Sequence, residues 1–64
     1  MKNIVKEVRE EQDMTQEELA KKSEVSRTTI SELENGKVEV ITNITLEKIA
    51  TALGKKVPDI FFKE

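Results

Sequence analysis

Two helix starts only eleven residues apart, at Thr15 and Ser26, constrain this chain more than any other feature. Thr15 stands three residues before Glu18, the spacing of a capping box. The hydroxyl accepts from a backbone N–H of the first turn, and the carboxylate reaches back to the cap. Met14 and Leu19 flank that cap as a hydrophobic staple. Ser26 repeats the device, with Val25 and Ile30 as the staple pair. Asn35-Gly36 ends the second helix, because glycine takes the left-handed conformation past a helix terminus without a Cβ penalty. Only Ser23, Glu24 and Val25 separate the two helices. Helices joined so tightly cannot lie side by side over a wide face, and Ala20 is small enough to let the second cross the first near its middle. This is the geometry of a helix-turn-helix, although the same spacing also suits an ordinary helix pair within a bundle.

The chain has 64 residues, no cysteine and no histidine. That length is expected to form one domain, 1–64, burying only about 60% of its unfolded surface. Such a core needs help from good helix packing or oligomerisation, since disulfides and thiolate metal sites are excluded. Without histidine the commonest metal ligand and general base is missing. The carboxylates are scattered, with no pair isolated on an apolar face. No enzyme, no metal and no cofactor is therefore expected. No apolar run approaches the roughly 18 residues that span a membrane. The start, MKNIVKEVREE, lacks the uninterrupted apolar core of a signal peptide, so a cytoplasmic protein with no membrane partner is the expectation.

The helical pattern continues on both sides of the motif. Residues 2 to 12 read as a first helix with Ile4, Val5 and Val8 inward. A fourth, from about 43 to 53, carries Leu46, Ile49, Ala50 and Leu53 on one face. Its cap is left open among Thr42, Asn43 and Thr45. Gly54 ends it, and VPDIFFKE forms a last turn or two, with Pro58 suited to a first turn and Asp59 to its positive end. The expected fold is all-α, a compact bundle of five short helices. Its core comprises Ile4 or Val5, Val8, Met14, Leu19, Ala20, Val25, Ile30, Leu33, Leu46, Ile49, Ala50, Leu53, Val57, Ile60 and Phe61. Between Gly36 and the fourth helix lies KVEVITN. It is either an extended connection with an apolar residue or two tucked beneath it, or a surface loop whose apolar side chains meet a partner. Three β-branched apolars in one loop of so small a protein favour the second reading. A hairpin is not expected, since no second strand is in sight.

The segments MTQEELAKKSEVSRTTISELENGK, VREEQ before it and TLEKIATALGKKVPDIF after it together resemble the Cro and lambda-repressor-like helix-turn-helix domains, the XRE-type regulators of bacteria and phages. The resemblance runs from about Val8 to Phe62. It implies that the second motif helix lies in the DNA major groove with its N-terminal residues nearest the bases. Those are Ser26, Arg27 and Thr28, with Glu32 one turn along the same side. Arg27 is the first choice for base readout, since a guanidinium can donate two bonds to the O6 and N7 edge of guanine. Thr28 offers a methyl to thymine or a hydroxyl to a base edge, and Glu32 either accepts from cytosine or is kept from contact. Gln16, Asn35 and Lys37 correspond to contacts with the phosphate backbone. Arg9 and Glu34 correspond to an ion pair between the first and third helices. Two departures stand out. The turn position often filled by glycine is Glu24, which bears a strain of about 1 kcal/mol if the left-handed conformation is kept. The loop after Gly36 also seats one extra residue and lacks the proline often found before the fourth helix.

The function implied is a sequence-specific double-stranded DNA-binding transcriptional regulator, a repressor, acting as a homodimer on an inverted-repeat operator. With no separate dimerisation domain expected, the interface is assigned to Val40, Ile41, Phe61 and Phe62. Charge qualifies this reading. The chain carries 11 basic and 13 acidic residues, net −2, whereas many nucleic-acid binders are basic because phosphate neutralisation supplies much of their affinity. Binding must then rest on a few placed donors, not on a basic surface. The competing reading is a protein-interaction module, such as an antitoxin, whose partner is another protein.

Overall fold

In the computed structural model, which describes residues 2–38 and 40–62, five helices follow one another: α1 (Val5–Glu11), α2 (Gln16–Ser23), α3 (Arg27–Glu34), α4 (Asn43–Ala52) and α5 (Val57–Ile60). Two short strands, β1 (Lys2–Asn3) and β2 (Phe61–Phe62), bracket them. The strands pair antiparallel, with Lys2 opposite Phe62 and Asn3 opposite Phe61. Met1, Glu39 in the KVEVITN run, and the terminal Lys63 and Glu64 lie outside the described residues.

The start signals act as their chemistry requires. Thr15 Oγ1 accepts from Glu18 N at 3.0 Å while Glu18 Oε1 accepts from Thr15 N at 2.9 Å. Ser26 Oγ accepts from Thr29 N at 3.1 Å and donates to Thr29 Oγ1 at 2.8 Å. The open choice for α4 resolves to Thr42, whose Oγ1 accepts from Thr45 N at 3.2 Å. The first helix is shorter than its apolar stripe suggests. Asn3 Oδ1 accepts from Val5 N at 3.1 Å, and Ile4 N donates to Ile60 O at 3.0 Å. Ile4 is thus the N-cap of a helix beginning at Val5, the Asn3 side chain satisfies the first helical N–H from one residue further out, and residues 2 and 3 stay extended, where they meet β2. The last segment likewise gives one helical turn and then strand.

Termination uses the left-handed conformation four times. Gly36 (φ 70°) and Gly54 (φ 69°) follow α3 and α4, while Asp13 (φ 54°) follows α1 and Glu24 (φ 60°) follows α2. After α1, Met14 N donates to Arg9 O at 3.1 Å and Asp13 N to Glu10 O at 3.0 Å, the paired bonds of a Schellman motif. In the turn between α2 and α3, Ser23 is buried. Its Oγ donates to Leu19 O at 2.7 Å and accepts from Val25 N at 3.3 Å, so the turn satisfies its own polar groups. Glu24 then carries the strain anticipated for it. Relieving it with glycine gains about 1–2 kcal/mol and gives back about 0.5–1 through unfolded-chain entropy. Glu24→Gly is accordingly expected to raise Tm by roughly 2–4 °C in a thermal melt, and a lower Tm would contradict this account of the turn.

The core gathers Val5, Val8, Leu19, Val25, Ile30, Leu33, Leu46, Ile49, Ala50, Ala52, Leu53, Ile60 and Phe61. Ile4, Met14, Ala20, Val38, Ile41 and Val57 pack partly against it. α2 lies against both α3 and α4, α1 against α3, and α4 against α5. The loop after Gly36 divides its apolar residues: Val38 and Ile41 tuck beneath, while Val40 is 89% exposed. Ile44 (66%) and Phe62 (40%) are the other large apolar side chains exposed among the described residues.

Candidate nucleic-acid interface

Helix α3 is anchored by one face and free on the other. Ile30 and Leu33 are buried, whereas Arg27, Thr28 and Glu32 are exposed. The helical period produces this split, since 28 and 32 lie opposite the side shared by 30 and 33, with 27 at the edge between them in the first turn. The α2–α3 crossing then brings Gln16, the first residue of α2, beside the exposed face. Gln16, Arg27, Thr28, Ser31 and Glu32 line one open cleft of about 300 Å³. A second, of about 320 Å³, adjoins it at Glu32 and is lined by Thr29, Glu32, Lys37, Val38 and Val40.

The remaining expected contacts fall around these clefts in different ways. Ser26 is exposed but its hydroxyl is engaged in capping α3. Asn35 closes α3, its backbone N donating to Ser31 O at 3.0 Å. Lys37 follows, its N donating to Glu32 O at 2.8 Å, and its side chain shares the second cleft with Glu32. Ser31 escaped the sequence reading although it stands four residues after Arg27 and three after Thr28, the spacing of one helical face.

Behind the exposed face lies an ion pair. Arg9 Nε donates to Glu34 Oε2 at 2.8 Å and Arg9 Nη2 to Glu34 Oε1 at 3.1 Å, a two-pronged arrangement joining α1 to α3. Arg9 Nη1 also donates to Met14 O at 2.7 Å, which fixes the turn into α2. The two side chains are 11% and 2% exposed. Burial pushes the Glu34 carboxyl up, but hydrogen bonds from Arg9 and Gln16 and the charges of Arg9 and Lys6 outweigh it and hold it below its ordinary value. The hydrogen bond to Glu34 in turn raises the Arg9 guanidinium, against the effect of burial. One negative charge of α3 is thus neutralised inside the protein and withdrawn from the exposed face.

The candidate dimer residues are not alike. Val40 is exposed, Phe62 partly so, Ile41 is half-buried, and Phe61 is 7% exposed within the core. Ile44, which the sequence reading passed over, adds an exposed apolar side chain at the start of α4.

The family model described as Helix-turn-helix matches residues 5–60, which spans all five helices. The chain belongs to the Cro/lambda-repressor-like helix-turn-helix family. Three relatives of this helix-turn-helix protein are each named an uncharacterized HTH-type transcriptional regulator. The one from Methanocaldococcus jannaschii is 45% identical over 64 residues, covering 100% of this chain and 96% of the relative. The one from Archaeoglobus fulgidus is 44% identical over 61 residues, 95% of this chain and 84% of the relative. The one from Methanothermobacter thermautotrophicus is 42% identical over 62 residues, 95% and 88%. All three organisms are archaea, whereas the sequence resemblance pointed to regulators of bacteria and phages.

Proposed function

We propose that this helix-turn-helix protein is a DNA-binding transcription regulator that reads a specific double-stranded sequence through α3. Its single domain acts as a homodimer on an inverted repeat. The observation that carries this reading is the exposed cleft shared by Gln16, Arg27, Thr28 and Glu32 at the meeting of α2 and α3. Arg27 supplies a fork matched to guanine, and Thr28 a methyl or hydroxyl for the adjacent base. Gln16, Asn35 and Lys37 fix the register on the phosphates. Repression follows as the default mode, because a body seated on promoter DNA excludes other proteins from it.

The fold measures 27 × 21 × 19 Å. One turn of duplex is about 34 Å, so one copy covers one major-groove half-site and two copies are needed for a symmetric operator. Selection from random duplexes tests this directly. An enriched inverted repeat with half-sites about one turn apart is expected, and a pool that stays random defeats the proposal.

The dimer draws on Val40, Ile41 and the C-terminal Phe61 and Phe62. Val40 and Phe62 offer surface as they stand, Ile41 offers part of its side chain, and Phe61 supports the interface from the core. Coupling of folding to association makes Tm rise with protein concentration. Melts over a hundredfold range of concentration are expected to show that rise, and Val40→Glu to abolish it. A midpoint that stays fixed for the wild type rules the dimer out. The exposed apolar residues also favour one second reading, an antitoxin-like module whose partner is another protein. Capture on random DNA beside capture from lysate at low salt separates the two.

A further inference from the structure

The carboxylate of Glu34 is engaged from two directions. Arg9 reaches it from α1, and Gln16 Nε2 donates to Glu34 Oε1 at 3.1 Å from the first residue of α2. A carboxylate can only accept, so the amide of Gln16 must turn its nitrogen toward Glu34. One amide hydrogen is thereby committed, and the other hydrogen and the carbonyl oxygen are aimed away from Glu34. Glu34 itself has little freedom, since its side chain is 2% exposed and gripped by two nitrogens of Arg9. The residue at the head of the exposed cleft is therefore held by a buried anion whose own position is set by a third helix. A glutamine left loose would lose rotamer freedom on meeting DNA, whereas here that loss is taken during folding.

We infer that Glu34 is a positioning residue for DNA binding, which, held by Arg9, fixes the Gln16 amide in the orientation that meets the phosphate backbone. The inference rests on the reading of Gln16 as a backbone contact. It makes the Arg9–Glu34 pair part of the binding apparatus as well as a brace. It also reverses a simple electrostatic expectation. A carboxylate near a polyanion should weaken binding, so its removal should strengthen it. If Glu34 positions Gln16, removal weakens binding instead.

The test titrates wild type, Gln16→Ala, Glu34→Gln and the double variant with the duplex recovered by selection, at a temperature where circular dichroism shows all four folded. In the Glu34→Gln background a single acceptor oxygen replaces two and serves Arg9, and the new amide N–H can meet Gln16 only if the Gln16 amide turns its oxygen toward it, so the wild-type orientation is lost in either case. Gln16→Ala is expected to lower affinity roughly 5- to 10-fold in the wild type, the size of one ordinary hydrogen bond. In the Glu34→Gln background the same change should cost less than about 2-fold, the remainder having gone with the positioning bond. Glu34→Gln alone should weaken binding. Tighter binding by Glu34→Gln, or an equal cost of Gln16→Ala in both backgrounds, overturns the inference and leaves the Gln16 contact standing. A Gln16→Ala that costs nothing in the wild type overturns the contact itself, and the inference with it.

Should Glu34→Gln not fold, Arg9→Met with Glu34→Leu replaces the pair by two apolar side chains, without a lone buried charge and without changing net charge. The same loss of the Gln16→Ala effect is expected there, and its persistence overturns the inference. The wild type also reports by itself. The Gln16 side-chain amide, assigned through Gln16→Ala, should show two NMR proton shifts displaced from random-coil values before DNA is added. Random-coil shifts for both protons overturn the inference without any further variant.

Discussion

Arg9→Ala is expected to lower stability by about 3 kcal/mol, because it strands a buried carboxylate that has lost its cation. Arg9 makes three bonds, two to Glu34 and one to Met14 O, and so ties α1 to α3 and to the turn before α2. Truncation removes all three and leaves the Glu34 side chain, 2% exposed, with Gln16 as its one remaining side-chain donor among the described residues. In a domain this small, that loss lowers Tm by roughly 10–20 °C. The pH dependence supplies an independent signature. The folded-state carboxyl of Glu34 lies below its ordinary value, so its contribution is fully present above the unfolded pKa of about 4.3 and is lost as pH falls through the lower folded value. Glu18, lowered by its bonds to Thr15, acts in the same direction. The wild type should therefore lose stability steeply below about pH 4. Arg9→Ala should show a flatter acid limb, since Glu34 then gains little on ionising. Urea melts from pH 7 to pH 3 check both, and an Arg9→Ala protein as stable as wild type at pH 7 would show the pair to be idle.

Arg27→Ala should produce the largest change in function. Arg27 is exposed at the first position of α3, with Gln16 and Thr28 beside it. A bidentate contact to guanine supplies about 1–3 kcal/mol of discrimination, so affinity for the selected operator should fall roughly 10- to 100-fold. Affinity for a random duplex should fall by no more than about 3-fold, the share of one phosphate contact. The ratio of the two losses decides the role: equal losses make Arg27 a phosphate contact only. Among the residues lining the two clefts, Lys37 is the one other cation that could mask the effect.

Much of this was legible from caps and spacing. Thr15, Ser26, Gly36 and Gly54 announce their helix ends because each does local chemistry with its own backbone, and the period of Leu46, Ile49, Ala50 and Leu53 announces its face. Features set by distant partners were harder to read. Nothing local to Lys2 and Asn3 says that they pair with Phe61 and Phe62, so the apolar stripe of α1 suggests a helix from residue 2 where the helix in fact begins at Val5. Ser23 looks like a surface residue until Leu19 O and Val25 N close around it. Ala52 joins the core through its place beside Leu53, where a small residue gives a weak hydrophobic signal. In the site, the family resemblance pointed to Arg27, Thr28 and Glu32 as the outward residues of α3. The bond from Gln16 to Glu34 depends on the α2–α3 crossing and could not be read from spacing.

In the proposed function, the exposed face of α3, with the start of α2, meets duplex DNA. Titrating the 15N-labelled protein with its selected duplex tests this most directly. The largest amide shifts are expected on Gln16, Arg27, Thr28, Ser31, Glu32 and Lys37, with α5 largely unmoved. Shifts centred instead on Val40, Ile44 and Phe62, with Arg27 and Thr28 unmoved, would contradict it.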